Sequence, residues 1–224
     1  MWVVADSALL DPGFQLFESM RVTRDRRLRH LDRHLARIEH SAGVLDFRFD
    51  RPQVMAALAA ALAQVADSGS WRLRLALAHD GGVLVRSEKL LPLPDGRVSL
   101  LIEPKPLPGP RPLAQHKTTL RVVYDEGVRR ARQRGAYDSL FFTADGRIVE
   151  GGRSNVFLLL DGRWWTPPLS DGALPGVMRS LLLDDPAWQA GERSLRLSDV
   201  QRARSLIVCN AVRGAMPGRL MIDP

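Results

Sequence analysis

Four prolines fall within nine residues of this 224-residue chain, at positions 106, 108, 110 and 112 of KPLPGPRPL. Proline fixes φ and carries no backbone N–H, so neither a helix nor a central strand can cross this stretch. Secondary structure must therefore be built in two blocks. The expected division is a smaller N-terminal α+β domain over 1–104, a stiff linker over 105–116 and a C-terminal α/β domain over 117–224. A chain of this length suits one domain or two small ones.

In the first block, FQLFESMRV (14–22) reads as a strand and LDRHLARIEHSAGVL (31–45) as a helix, with Leu31, Leu35, Ile38 and Leu45 at helical spacing. Arg51–Asp67 reads as a second helix, opened by Pro52. WRLRLALAH (71–79) alternates, with Trp71, Leu73, Leu75 and Leu77 facing one way and Arg72 and Arg74 the other. Asp80-Gly81-Gly82 turns it into a hairpin partner, and RVSLLIEP (97–104) is a further strand. In the second block, Thr119–Gly135 and Leu174–Asp184 are predicted helices, and Ser198–Ala203 a short one capped by Ser198. Between the first two runs a meander of strands, with hairpin turns at Asp145-Gly146 and Asp161-Gly162. SLIVCN (205–210) is a last buried strand. The pattern is α+β in both halves.

The formal charge of +7 calls for an acidic partner, whether an anionic small molecule, nucleic acid or a membrane surface. No apolar run reaches the roughly 18 residues of a membrane span, and arginine is spread along the chain with no aromatic-rich recognition motif. The opening MWVVADSALLDPGF has an early acid and no basic lead, unlike a secretory signal. With Cys209 as the one cysteine, no intrachain disulfide forms, and a cytoplasmic location is expected. Cys/His metal spacing, a Walker loop and a glycine-rich dinucleotide fingerprint are all missing from the sequence, so no metal is expected.

Of the 32 basic residues only Lys89, Lys105 and Lys117 are lysines, so an amine nucleophile has three candidates. Lys117 lies in QHKTT, just past the prolines and before a predicted helix; most lysines are surface charges, but an amine held there near His116 and arginines suits covalent chemistry. Glu150 ends a predicted strand beside Gly151-Gly152, where a flat ligand has room to approach; a surface turn acid reads the same way. LPGVMR (174–179) offers backbone N–H groups at a helix start, a phosphate site or an ordinary helix opening, with Arg37 as the assisting guanidinium. Asn210 ends the last buried strand as a crevice or turn residue.

The order HKTT, YDSLFFTADGRIVEGGRSNVFLL, TPPL, LPGVMR and VCNAVRGAMP, with FESMRV and HLARIEHSAGVL before them, resembles the class IV aminotransferase family, the fold-type IV pyridoxal-phosphate enzymes. The resemblance runs from about residue 14 to 218. It implies a two-domain α+β fold like that of D-amino acid aminotransferase, pyridoxal 5'-phosphate in the interdomain cleft, and a homodimer. Carried over residue by residue, Lys117 is the lysine that bears the cofactor and Glu150 pairs with its ring nitrogen. Leu174 packs on the ring. Gly176, Val177 and Met178 hold the phosphate with Arg37, and Asn155, Asn210 and Ala211 line the site. HKTT and CNAVRGAMP are most similar to the aminodeoxychorismate lyase branch, in particular members fused behind an aminodeoxychorismate synthase. That branch implies conversion of 4-amino-4-deoxychorismate to 4-aminobenzoate and pyruvate in folate biosynthesis, with Arg21 and Arg213 as carboxylate ligands and a synthase as a possible partner. The alternatives are transamination of D- or branched-chain amino acids, cofactor binding without turnover and, more remotely, a basic nucleic-acid-binding module. Two departures stand out. The G-D-G segment that many members carry before the first strand is missing. Val122 replaces the tyrosine that branched-chain enzymes carry five residues after the lysine, leaving Arg121 or Tyr124 to contact the cofactor hydroxyl.

Overall fold

The computed structural model describes residues 13–66, 68–93 and 96–221. Most of the opening segment read above for a leader lies outside them. The chain forms two compact units: one takes the chain up to Pro92 together with His116–Leu120, the other Leu93–Gln115 together with Arg121 onward.

The first unit is a three-stranded antiparallel sheet of Leu16–Val22 (β1), Trp71–Leu77 (β2) and Val83–Lys89 (β3), in that order. Helices Leu31–Val44 (α1) and Arg51–Ala63 (α2) belong to it. The alternation of β2 is realised: Leu73, Leu75 and Leu77 are buried in one cluster with Leu16 and Met20 of β1, Leu35 and Ile38 of α1 and Val54 and Leu58 of α2. Helix α2 opens on Asp50, whose carboxylate accepts from Gln53 N at 3.1 Å, with Pro52 in the first turn. It stops at Ala63, short of the expected Asp67, because Val65 turns back into the core and the last turn tightens, Val65 N donating to Leu62 O. Arg26 donates to the carbonyls of Val65 (2.9 Å) and Leu62 (3.1 Å), completing the helix end.

The second unit is built on an eight-stranded mixed sheet. Its strands are Val98–Ile102 (β4), Asp138–Phe142 (β5), Ile148–Gly151 (β6), Asn155–Leu160 (β7), Arg163–Thr166 (β8), Ala190–Glu192 (β9), Ser205–Asn210 (β10) and Gly214–Leu220 (β11), ordered β6-β5-β4-β11-β10-β7-β8-β9. β4 runs parallel to both its neighbours. Helices Val122–Gln133 (α3), Val177–Asp184 (α4) and Leu197–Arg202 (α5) accompany it. Asp161 and Gly162 both take positive φ (50° and 79°), the left-handed pair that a two-residue hairpin between β7 and β8 demands. Cys209 is fully buried in β10, and burial pushes its thiol up to about 12. A thiol reagent is therefore expected to label none of the native protein at pH 8 and all of it once urea unfolds it; rapid native labelling would show that the β10 environment opens.

The division falls elsewhere than the prolines suggested. β4 pairs inside the second unit's sheet, where Val98 and Leu100 are core residues. The four prolines are exposed, but the run is anchored to the second unit by Leu107, which is buried with its N–H on Phe142 O at 2.7 Å. Residues 117–119 return to β1 of the first unit, so α3 starts at Val122 rather than Thr119, and Gly135 lies past its end with φ 75°. Leu174–Gly176 precede α4, whose N-cap is Gly176. α5 is capped at Arg196 rather than Ser198, because the Asp199 carboxylate folds back onto Arg196 N at 2.8 Å. Among the described residues no helix is long and apolar enough to cross a membrane.

Candidate active site

In the first unit the chain around Lys117 is pinned to β1. Phe17 N donates to Lys117 O at 2.9 Å, Thr119 N to Gln15 O at 2.9 Å and Gln15 N to Thr119 Oγ1 at 2.9 Å. The Lys117 Nζ lies 4.6 Å from the centre of the Phe17 ring, and the Arg74 guanidinium carbon 3.8 Å from it. The lysine thus sits against an aromatic face with a second cation nearby, on a backbone held from both sides. His116 does not add charge there: burial first, then neighbouring His40, lower its pKa, and its Nδ1 meets Ser41 Oγ at 3.0 Å.

Alternation along β1 turns Glu18 to the opposite face from Phe17, toward α1. There it is 1% exposed and gathers Arg37, which donates from Nε at 2.7 Å and Nη2 at 2.6 Å, and His34, whose Nδ1 lies at 2.6 Å. An ionised carboxylate only accepts, so Nδ1 of His34 carries the proton. Burial raises the Glu18 pKa, but Arg37 and His34 outweigh it and hold the carboxyl at about 2. A folded pKa below the usual 4.5 means stability present above that value and lost as pH falls through about 2. The shift corresponds to about 3 kcal/mol. Acid titration of unfolding is expected to show this loss between those limits, and Glu18→Gln to flatten it. Sequence reasoning missed Glu18; its one signal was an acid at a core-facing position between Leu16 and Met20. Arg21 lies on the other face of β1 and reaches Ser70 Oγ at 3.3 Å.

In the second unit the structure brings Glu150, Asn155, Leu174, Gly176, Val177 and Met178 together. Glu150, 7% exposed at the end of β6, accepts from Leu174 N at 3.1 Å and from Asn155 Nδ2 at 3.3 Å. Asn155 also donates to Leu174 O at 3.0 Å, so one amide braces the carboxylate and the strand entering α4. A Cβ on Gly176 would overlap the Asn155 amide oxygen, so any larger residue there would displace the Asn155 side chain from Glu150. Val177 and Met178 then open an eight-residue helix, and first-turn N–H groups have no acceptor inside their own helix.

Gly151 and Gly152 answer to packing. The space of a Cβ on either is taken by the Asp138 carboxylate, by Ser154 at Gly151 and by Val128 at Gly152, rather than being open to a ligand. Asp138, 0% exposed, accepts from Ser154 Oγ at 2.5 Å and from the amides of Ser139 (2.9 Å) and Arg153 (3.2 Å). Asn210 uses its side chain within the protein: Nδ2 donates to Tyr137 OH (3.1 Å) and Arg153 O (3.2 Å), while Oδ1 accepts from Val212 N (3.2 Å) and Arg213 N (2.9 Å). It therefore shapes the turn that presents Ala211 and Arg213.

Of the two candidates to replace the missing tyrosine, Arg121 donates to Gly152 O and to Asp125 at 2.8 Å. Tyr124 is raised well above the usual phenol range, by burial first and then by the negative charge of the Glu150 carboxylate beside it. Arg111 donates to that same hydroxyl at 3.0 Å. Val122 is 68% exposed.

The sequence profile described as Amino-transferase class IV matches residues 15–221, and the chain belongs to the class IV aminotransferase family. A Schizosaccharomyces pombe protein, provisionally named an aminodeoxychorismate lyase, is 28% identical over 198 residues, 87% of this chain and 85% of that one. A Mycobacterium tuberculosis protein named bifunctional aminodeoxychorismate lyase / D-amino acid transaminase is 28% identical over 244 residues, 89% of this chain and 84% of that one. A crystal structure from Mesorhizobium loti, provisionally described as an amino-acid aminotransferase, has 34% identity and a TM-score of 0.85, covering 93% of this chain and 100% of the other. The α+β fold is that of fold-type IV, and the chain is a pyridoxal-phosphate-dependent enzyme. The residues present suit that cofactor: a buried carboxylate for a protonated ring nitrogen, open helix-start amides for a phosphate, and a lysine amine on a fixed backbone.

Proposed function

We propose that the chain is a 4-amino-4-deoxychorismate lyase that releases 4-aminobenzoate and pyruvate. The observation that carries this reading is that both relatives named above, each aligned over most of the chain, bear the lyase name. An exposed aliphatic residue, Val122, where branched-chain enzymes place a tyrosine weighs the same way.

Bound pyridoxal phosphate supplies an electron sink for the carbon next to the substrate nitrogen. Lys117 would bear the cofactor, and its Nζ would be the base that removes the proton from that substrate carbon. The buried Glu150 carboxylate, aimed by Asn155 and Leu174 N, would keep a proton on the ring nitrogen. Leu174 would pack on the ring. The amides of Val177 and Met178, past Gly176, would hold the phosphate together with Arg37. Arg21, and Arg213 on the turn that Asn210 braces beside Ala211, bind the substrate carboxylates. Loss of the enolpyruvyl group as pyruvate leaves an aromatic ring, the driving force for elimination. The reading carries with it a cytoplasmic homodimer feeding folate synthesis, alone or beside a synthase.

The test supplies purified protein with pyridoxal phosphate and enzymatically made 4-amino-4-deoxychorismate, without a keto acid. Equal release of 4-aminobenzoate and pyruvate is expected. Failure to release either, with amino-group transfer appearing only when a keto acid is added, would assign the chain to transamination instead. The D-amino acid transaminase half of the Mycobacterium tuberculosis relative's name favours that second reading.

A further inference from the structure

We propose that Arg111 and Tyr124 are positioning residues for Glu150, so that the proline-rich segment is a working part of the active site. The inference rests on the assignment of Glu150 to the cofactor's ring nitrogen and adds two residues that act through it.

Two separate routes converge on the carboxylate. Along the first, Arg111 Nη1 donates to the Tyr124 hydroxyl at 3.0 Å. An arginine cannot accept, so the hydroxyl takes that bond on its oxygen and keeps its own proton for the Glu150 carboxylate beside it. The Tyr124 ring is held by Phe141, centroids 4.8 Å apart. Along the second, the same guanidinium donates to Asp171 O at 3.1 Å and Gly172 O at 3.3 Å. Gly172 has φ 91°, and a Cβ there would overlap the Arg111 guanidinium, so the glycine lets the arginine in. Two residues further on, Leu174 N donates to Glu150 Oε2 at 3.1 Å. One side chain therefore locks both a phenol donor and the backbone that supplies an amide donor. The prolines around position 111 stiffen the segment from which Arg111 projects. Donors fixed before the ligand arrives keep the carboxylate charged and aimed, and so favour a protonated ring nitrogen opposite it.

A double-mutant cycle tests this, read as the dissociation constant of pyridoxal phosphate from intrinsic fluorescence of the apoprotein. Tyr124→Phe and Arg111→Ala are each expected to weaken binding about tenfold in the wild-type background. Each should weaken it less than about twofold when Glu150→Gln is already present, because residues acting through one group are not additive. Arg111→Lys should not rescue, since one ammonium nitrogen cannot occupy the two separate positions from which Nη1 and Nη2 reach the phenol and the carbonyls. The urea midpoint of Tyr124→Phe apoprotein should match wild type. Equal weakening in both backgrounds, or a fall in midpoint that accounts for the weaker binding, overturns the proposal and leaves the lyase reading standing. Wild-type protein that takes up no pyridoxal phosphate overturns both.

Discussion

Lys117→Ala is expected to lower turnover at least about a thousandfold while the protein keeps its fold. The chain offers no substitute amine by composition, because Lys89 and Lys105 are the only other lysines and both are exposed. The backbone around Lys117 is held by main-chain bonds to Phe17 and Gln15, and these survive truncation of the side chain. What disappears is the amine and its contact with the Phe17 ring, worth roughly 1 kcal/mol or less of stability at a partly exposed site. Borohydride reduction of cofactor-loaded wild type should place the phosphopyridoxyl label on the peptide holding Lys117, and the variant should take none. Near-wild-type turnover by the variant, or the label on another lysine, removes Lys117 from the chemistry.

Glu18→Ala should produce the largest loss of stability, about 3–5 kcal/mol, because it leaves Arg37 and His34 facing an emptied anionic site. Arg37 is 12% exposed and His34 1%, so water replaces little of what the carboxylate supplied. His34 Nε2 is already buried without a partner, and losing the Nδ1 partner strips the ring of both. Because Arg37 is aimed by Glu18, the milder Glu18→Gln should weaken pyridoxal phosphate binding even where the protein stays folded. Thermal unfolding of the apoprotein at pH 7 measures the first effect. A loss under about 1 kcal/mol would mean that the triad relaxes and rehydrates rather than standing as a buried unit.

Much of the fold was legible in local pattern. The two-residue period of 71–77, the Asp-Gly turn at 161–162 and the Pro52 helix start each depend on a few adjacent residues, and each formed as read. The motif run from HKTT to VCNAVRGAMP pointed to the family that the profile match established. Helix ends were less legible because tertiary contacts set them: Val65 leaves α2 for the core, and residues 117–119 join β1 instead of starting α3.

By itself, the sequence determined the α+β class and the family, since these follow from periodicity, turn chemistry and motif order, and it singled out Lys117 as the candidate amine. The tertiary structure alone decided which distant residues complete each other. It put β4 in the second unit's sheet, gave Glu18 to Arg37 and His34, filled the space beside Gly151 and Gly152 with Asp138, and delivered Arg111 from among the prolines to Tyr124. The side-chain pairings span from 13 residues, for Arg111 and Tyr124, to 19, for Glu18 and Arg37, while Val98 of β4 meets Gly218 of β11 from the far end of the chain. Nothing in the local preference of either partner encodes them; burial does, because a charge withdrawn from water must find its counterpart wherever the packed chain brings one.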